Sequence, residues 1–187
     1  MIEREVKVLL TEEEYFTLVM AMCKYATPLF QTNYYFDTDD LSMNQKGVTC
    51  RIRLKDGVYK ATVKSHNTDN PDLSTEYDLS ESRVFNPNIF NVLGLHCYGE
   101  LDTQRYILYK NDYCEMVLDH NTYLGKTDFE IEIEYLEGCK DKAYACLDNI
   151  AELLLSYRCI SNKDEFISRA QKGKSKSERF FQEPLIK

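Results

Sequence analysis

The chain has no tryptophan, only three histidines and no C-x-x-C pair. His66, His96 and His120 are scattered without metal-ligand spacing, so no histidine metal centre is expected. Seven cysteines (Cys23, Cys50, Cys97, Cys114, Cys139, Cys146 and Cys159) make an odd set that fits neither a zinc site nor a secreted disulfide framework. No stretch approaches the ~20 apolar residues of a membrane span, and Met1-Ile2-Glu3-Arg4-Glu5 carries no apolar signal core. A cytoplasmic protein with no membrane partner is expected. Four prolines and seven glycines form no linker, and no repeat or low-complexity tract divides the chain, so one domain over residues 1–187 is expected. Cations are outnumbered, 23 against 31 carboxylates, for a net charge of −8. Such a chain repels a phosphodiester backbone overall, which excludes broad nucleic-acid binding but not a local basic pocket.

What is present alternates. In residues 2–10, Ile2, Val6 and Val8 oppose Glu3, Glu5 and Lys7, a period of two that means a strand. Thr11-x-x-Glu14 reads as a capping box opening a helix through Tyr25, and Pro28 ends that stretch. Strands are predicted at 29–37, 48–55, 59–64, 73–80, 101–110, 113–120 and 127–136, with Asp56-Gly57 and Asn111-Asp112 as tight turns. The segment 66–72, with Asn70-Pro71, is predicted as a loop. Asn86-Pro87 starts a short helix to Leu93, and 142–157 is helical by the spacing of Ala143, Cys146, Leu147, Ile150, Leu153 and Leu154. That apolar stripe should brace the sheet and could also serve a homodimer contact. A further helix is predicted over 163–171, stopped by Gly173. The tail Lys174–Lys187 holds one short strand candidate, Arg179-Phe180-Phe181. The sum is a mostly β, hairpin-rich antiparallel chain with peripheral helices.

The polar faces are sorted by sign. Glu3 and Glu5, then Glu130, Glu132 and Glu134, form acidic rows; Arg51, Arg53 and Lys55, then Lys60 and Lys64, form basic ones. Residues i and i+2 of a strand project from one face about 7 Å apart. Like charges at that spacing repel mildly in water and strongly in a confined, low-dielectric space. Any single row is what a solvated strand face would show. If the acidic rows converge, a hard divalent cation makes the cluster tolerable, and carboxylate oxygens suit Mg²⁺ or Mn²⁺. If the basic rows converge, they need an anion, and a polyphosphate with bound metal satisfies both sets.

These residues also resemble a family. Glu3-Arg4-Glu5-Val6-Lys7 is similar to the E-x-E-x-K signature of CYTH proteins, the triphosphate tunnel metalloenzymes. Tyr34-Tyr35-Phe36-Asp37-Thr38, Arg51-Ile52-Arg53, Ala61-Thr62-Val63-Lys64, the acidic pair Glu76 and Asp78, and Arg105 follow in family order. Leu118-Asp119, Leu124-Gly125, Phe129-Glu130-Ile131-Glu132 and the basic Lys174-to-Phe180 element complete the match over residues 3–180. The resemblance implies an eight-stranded antiparallel barrel with a charged lumen. It implies metal at Glu3, Glu5, Glu130 and Glu132, supported by Asp119, with Glu76, Asp78 and Glu134 as additional acids. It implies phosphate binding by Arg51, Arg53, Lys64, Arg105, Lys176 and Arg179, with Lys174 in the same element and Lys163 and Arg169 as competitors for its role. Lys7 would stand between acids and substrate; Glu3, Glu5 and Lys7 are the expected catalytic set.

The expected activity is metal-dependent hydrolysis of a small triphosphate, inorganic triphosphate first because no base or thiazole pocket is readable. Class IV adenylate cyclase chemistry on ATP and thiamine triphosphate hydrolysis are the rivals within the family. A non-catalytic polyphosphate sensor and a lipocalin-like barrel for apolar ligands are the rivals outside it. An apolar inward row would identify the lipocalin-like case.

Overall fold

A computed structural model describes residues 1–67, 70, 72–172 and 174–184. Pro71 of the expected loop, the expected stop Gly173 and tail residues 185–187 lie outside the described residues. Eight strands close into one antiparallel barrel: β1 (Ile2–Leu10), β2 (Leu29–Asp37), β3 (Val48–Lys55), β4 (Val58–His66), β5 (Leu73–Ser82), β6 (His96–Lys110), β7 (Cys114–Tyr123) and β8 (Lys126–Tyr135). Their order around the barrel is β1-β5-β4-β3-β2-β6-β7-β8, and β1 pairs with both β5 and β8 to close it. Every strand pair is antiparallel and every strand has a neighbour on each side, so no edge is left open in this sheet. The turn between β3 and β4 is the expected one: Asp56 and Gly57 both have positive φ, 51° and 74°, which suits a two-residue hairpin.

The barrel reverses the usual disposition of a small barrel, with apolar rows outward and polar rows inward. Val6, Val8 and Leu10 of β1, Leu118 of β7, and Phe129, Ile131 and Ile133 of β8 form an outer apolar face. That face is covered by α1 (Glu12–Met22), α4 (Lys140–Ser156) and α5 (Lys163–Ser168), which bring Tyr15, Leu18, Leu147, Ile150, Leu154 and Phe166 onto it. Each fully buried Leu, Ile or Phe there stabilises by about 1.5–3 kcal/mol. The α4 stripe is therefore used within the chain, against the barrel. A second outer cluster joins Phe36, Cys50, Ile52 and Ala61 to Phe90 of α3 (Asn88–Asn91) and to Leu95.

Helix α1 starts where the capping box places it. Thr11 Oγ1 accepts from the Glu14 amide at 3.2 Å and Glu14 Oε2 accepts from the Thr11 amide at 2.7 Å. It ends at Met22, short of Tyr25. A one-turn helix α2 (Ser42–Gln45), which no periodicity announces, is pinned by buried Asp37, whose carboxylate accepts from the amides of Met43 and Asn44.

The tail departs from expectation. Arg179-Phe180-Phe181 is not a strand but lies in α6 (Lys176–Gln182). Ser175 and Glu178 form a capping box at its start, a helix signal that outweighs the β-preference of two adjacent phenylalanines. Phe180 and Phe181 pack with Tyr35, Leu101 and Tyr123 and stopper one end of the barrel. Gly99, at φ +145°, lets this helix approach; a Cβ there would lie 3.1 Å from Phe180 Cζ. It sits beside a bulge that shifts the β2–β6 register between Tyr35 and Phe36.

Candidate active site

Above the aromatic stopper lies a cavity enclosing about 540 Å³ of open space, solvent at its mouth included. Its lining is charged. Glu3 and Glu5 from β1 and Glu132 and Glu134 from β8 make one wall. These strands are neighbours, with Glu5 opposite Glu134 and Lys7 opposite Glu132, so the two acidic rows merge. Arg51 and Arg53 from β3, Lys64 from β4 and Arg105 from β6 make the facing wall. Lys7 stands in the acidic wall itself, paired with Glu5 at 2.6 Å, and Lys176 of α6 reaches the same wall at Glu132. The inward row is not apolar, which removes the lipocalin-like alternative.

The acids form two groups able to hold a cation. Ligand oxygens of Glu5, Glu132 and Glu134 lie within 4.8 Å of one another, as do those of Asp119, Glu130 and Glu132. Glu132 belongs to both. All the donors are carboxylate oxygens, hard ligands, so the residues present fit a hard divalent ion. Asp119 and Glu130 are fully buried and stand behind the cavity wall, reached by Lys176: its Nζ is 3.0 Å from Asp119 Oδ2 and from Glu132 Oε2 and pairs with Glu130. Arg179 is held against Asp128 at 2.8 Å and Glu130 at 2.9 Å, outside the cavity lining.

The electrostatics keep Glu5 and Glu132 ionised. Burial pushes the Glu5 carboxyl up, but Lys7 and Lys64 outweigh it and bring the pKa down to about 2. Glu132 is likewise held well below the carboxylate range, burial being overcome by Lys176, Arg105 and Lys7. Lys7 is raised, because Glu5, Glu132 and Glu130 outweigh its own desolvation. Glu134 has no such company: burial and the neighbouring Glu132, Glu3 and Glu5 push it up to about 7. Arg105 donates from Nε and Nη2 to the two oxygens of Asp119 at 2.8 and 2.6 Å.

Several expected residues are elsewhere. Glu76 pairs with Arg51 at 2.6 Å and serves as its counter-ion, behind the lining. Asp78 is exposed and pairs with Lys60 at 2.8 Å, so neither joins the charged walls. The β4–β5 register shifts only beyond this pair, between Ala61 and Thr62. Lys174 is exposed and donates to Gln182 Oε1 at 3.0 Å. Lys163 pairs with Asp148 and Glu152 of α4, and Arg169 with Glu14 of α1 at 2.8 Å, so both are structural.

The cavity also takes residues without an expected role: Tyr35, Thr49, His66, Ser175 and Ser177. Thr49 sits two positions from Arg51 on a strand whose inward row was identified, so the period already placed it; His66 was expected at the start of a loop, but β4 runs on to it and keeps the inward row of Lys64. Thr49 Oγ1 and Ser177 Oγ are 2.5 Å apart and tie α6 to β3. The Tyr35 ring stacks at 5.0 Å from Phe180.

The sequence and the fold have counterparts. YjbK of Bacillus subtilis (strain 168), named as a candidate triphosphatase, is 32% identical over 147 residues, 71% of this chain and 77% of that protein. The crystal structure of a candidate adenylate cyclase from Bacillus halodurans superposes with a TM-score of 0.66 at 25% identity, covering 96% of this chain and 97% of that one. HpAC1 of Hippeastrum, described as an adenylyl cyclase candidate with a dominant triphosphatase activity, has a TM-score of 0.67 at 18% identity, covering 98% and 97%. This last likeness speaks to the fold. The CYTH domain matches residues 1–158, from the first acidic row through the strand that carries the second. The chain belongs to the CYTH domain family.

Proposed function

We propose that this protein hydrolyses a small triphosphate, inorganic triphosphate first, with Mg²⁺ or Mn²⁺ held by the carboxylate wall. The observation that carries the reading is the opposition of the two walls: four glutamates of β1 and β8 face three arginines and a lysine across one narrow cavity. An anion with a hard cation on it is the ligand class that suits both at once. Glu5, Glu132 and Glu134 would hold one ion, and Asp119, Glu130 and Glu132 fit a second. When bound, such an ion neutralises charge and polarises phosphoryl oxygens and water. Arg51, Arg53, Lys64 and Arg105 grip the phosphate chain, hold it straight and stabilise charge on the leaving diphosphate. Lys7, kept protonated by its acidic neighbours, lines the cavity beside Glu5 and orients the terminal phosphate.

The names of YjbK and HpAC1 support hydrolysis, and that of the Bacillus halodurans neighbour supports cyclisation of ATP. Of the two rings in the lining, Tyr35 and His66, the first is buried against Phe180 and Phe181 and offers a base no open face, which supports recognition through the phosphate chain. The test is a panel of inorganic triphosphate, ATP and thiamine triphosphate with Mg²⁺ or Mn²⁺, reading orthophosphate and cyclic AMP. Orthophosphate release fastest from inorganic triphosphate is expected. No release from any of the three, with Glu5→Gln binding metal as wild type does, would overturn the reading.

A further inference from the structure

The cations that line the cavity are anchored differently. Lys7 pairs with Glu5 at 2.6 Å, Arg51 with Glu76 at 2.6 Å, Lys64 with Glu3 at 2.9 Å, Arg105 with Asp119 at 2.6 Å and Lys176 with Glu132 at 3.0 Å. Arg53 is the exception: among the described residues no carboxylate lies within ion-pair distance of it. Its Nε instead donates to Oδ1 of Asn33 at 2.9 Å. Asn33 lies directly across the β2–β3 ladder from Arg53 and is completely buried. Its own Nδ2 finds no hydrogen-bond partner.

A buried amide whose two N–H groups are both unpaired is a poor choice for packing alone, since an apolar side chain would fill the space without leaving donors bare. What the amide supplies is an acceptor without charge. Fixing a guanidinium with a carboxylate also cancels its field, as at Arg105; fixing it with an amide oxygen leaves the field intact. Burial and the nearby Arg51 and Arg105 push the Arg53 pKa down to about 10, as expected of a cation with no counter-ion beside it.

We infer that Asn33 is a positioning residue, which holds the Arg53 guanidinium toward the cavity without neutralising it and so reserves its charge for the phosphate chain of the substrate. The inference rests on the functional reading above and adds Asn33 to it as a determinant of affinity.

The decisive substitution is Asn33→Asp, nearly isosteric, which keeps the acceptor and adds the charge. Binding of imidotriphosphate with Mg²⁺, which reads affinity without turnover, should weaken by about tenfold or more. The melting temperature should stay within about 4 °C of wild type, because the new carboxylate meets Arg53. In turnover of inorganic triphosphate, KM should rise by a larger factor than kcat falls. Asn33→Ala, which removes the acceptor, should weaken binding and lower the melting temperature as well. Binding of the analogue by Asn33→Asp at wild-type strength overturns the inference, and so does an equal loss of melting temperature in both variants, which would make Asn33 a packing residue only. Wild-type protein that neither binds the analogue nor hydrolyses triphosphate overturns the functional reading together with this one.

Discussion

Arg105 and Asp119 face each other across one rung of the β6–β7 ladder and share two parallel hydrogen bonds, at 2.8 and 2.6 Å, with Asp119 wholly buried. Asp119 keeps a second cation, Lys176 Nζ at 3.0 Å, so Arg105→Met leaves the buried carboxylate short of two hydrogen bonds but not bare of charge, and should destabilise by about 1–3 kcal/mol. Arg105→Met with Asp119→Leu should cost less, because the carboxylate that loses those bonds is gone as well. Urea midpoints of the two variants decide it; equal midpoints would show that the pair does not act as one unit.

Glu132 is shared by both carboxylate groups and is approached by Lys176 at 3.0 Å and Arg105 at 3.4 Å. If Glu132 holds metal as proposed, Glu132→Gln should lower phosphate release by about 100-fold or more, since a ligand is worth at least what the groups behind it are. Mg²⁺ titration followed by calorimetry should show the matching loss of metal affinity. Activity retained at the wild-type metal requirement would remove Glu132 from the ligand set.

His66 gives a pH signature. Desolvation first, then Lys64 and Lys7, push its pKa down to about 4 from an ordinary 6.5. The unfolded chain thus takes up a proton as pH falls through 6.5 and the folded chain does not. The contribution of neutral His66 is fully present above 6.5 and is lost between 6.5 and about 4, about 1–3 kcal/mol once solvent screening is discounted. His66→Gln should flatten the stability profile over that interval, measured by urea unfolding at pH 4, 5, 6 and 7. An unchanged slope would place the loss on other groups.

Gly99 holds the aromatic stopper close. Gly99→Ala combines an unfavourable φ with a 3.1 Å contact to Phe180 and should cost about 1–3 kcal/mol. Because Phe180 belongs to α6, the same variant should be cut faster by trypsin at Lys174. A wild-type melting temperature and cleavage rate would mean the helix relaxes around the methyl group.

The barrel and its charged walls were legible because a period of two assigns a face to every residue once one is known. Glu3, Glu5, Arg51, Arg53 and Lys64 share the lumen for the same reason that Val6 and Ile52 share the outside. The uncharged inward residues were passed over because they carry no sign to sort. Asn33 and Gln31 lie on the same inward row of β2 as Tyr35, but sequence alone does not tell a buried amide from a solvated one. α6 was misread because Phe180 and Phe181 were weighed by strand preference while Ser175-x-x-Glu178, the helix-start pattern recognised at Thr11, stood just before them. Asp78 and Lys174 kept the right spacing but not the right side of the wall. Asp78 keeps the register of Glu76, opposite Thr62, but its side chain goes out to Lys60, and Lys174 precedes the helix that carries Lys176 inward.

The cavity draws on both extremes of the sequence: Glu3 and Glu5 arrive with the first strand, Lys176 and Ser177 with the last helix. Barrel closure needs the first strand to find the eighth, a pairing of high contact order that slows folding. During synthesis, therefore, the lining of the cavity stays unfinished until α6 has left the ribosome. A product shortened before residue 176 would lack both the lysine against Asp119 and the rings that pack on Tyr35.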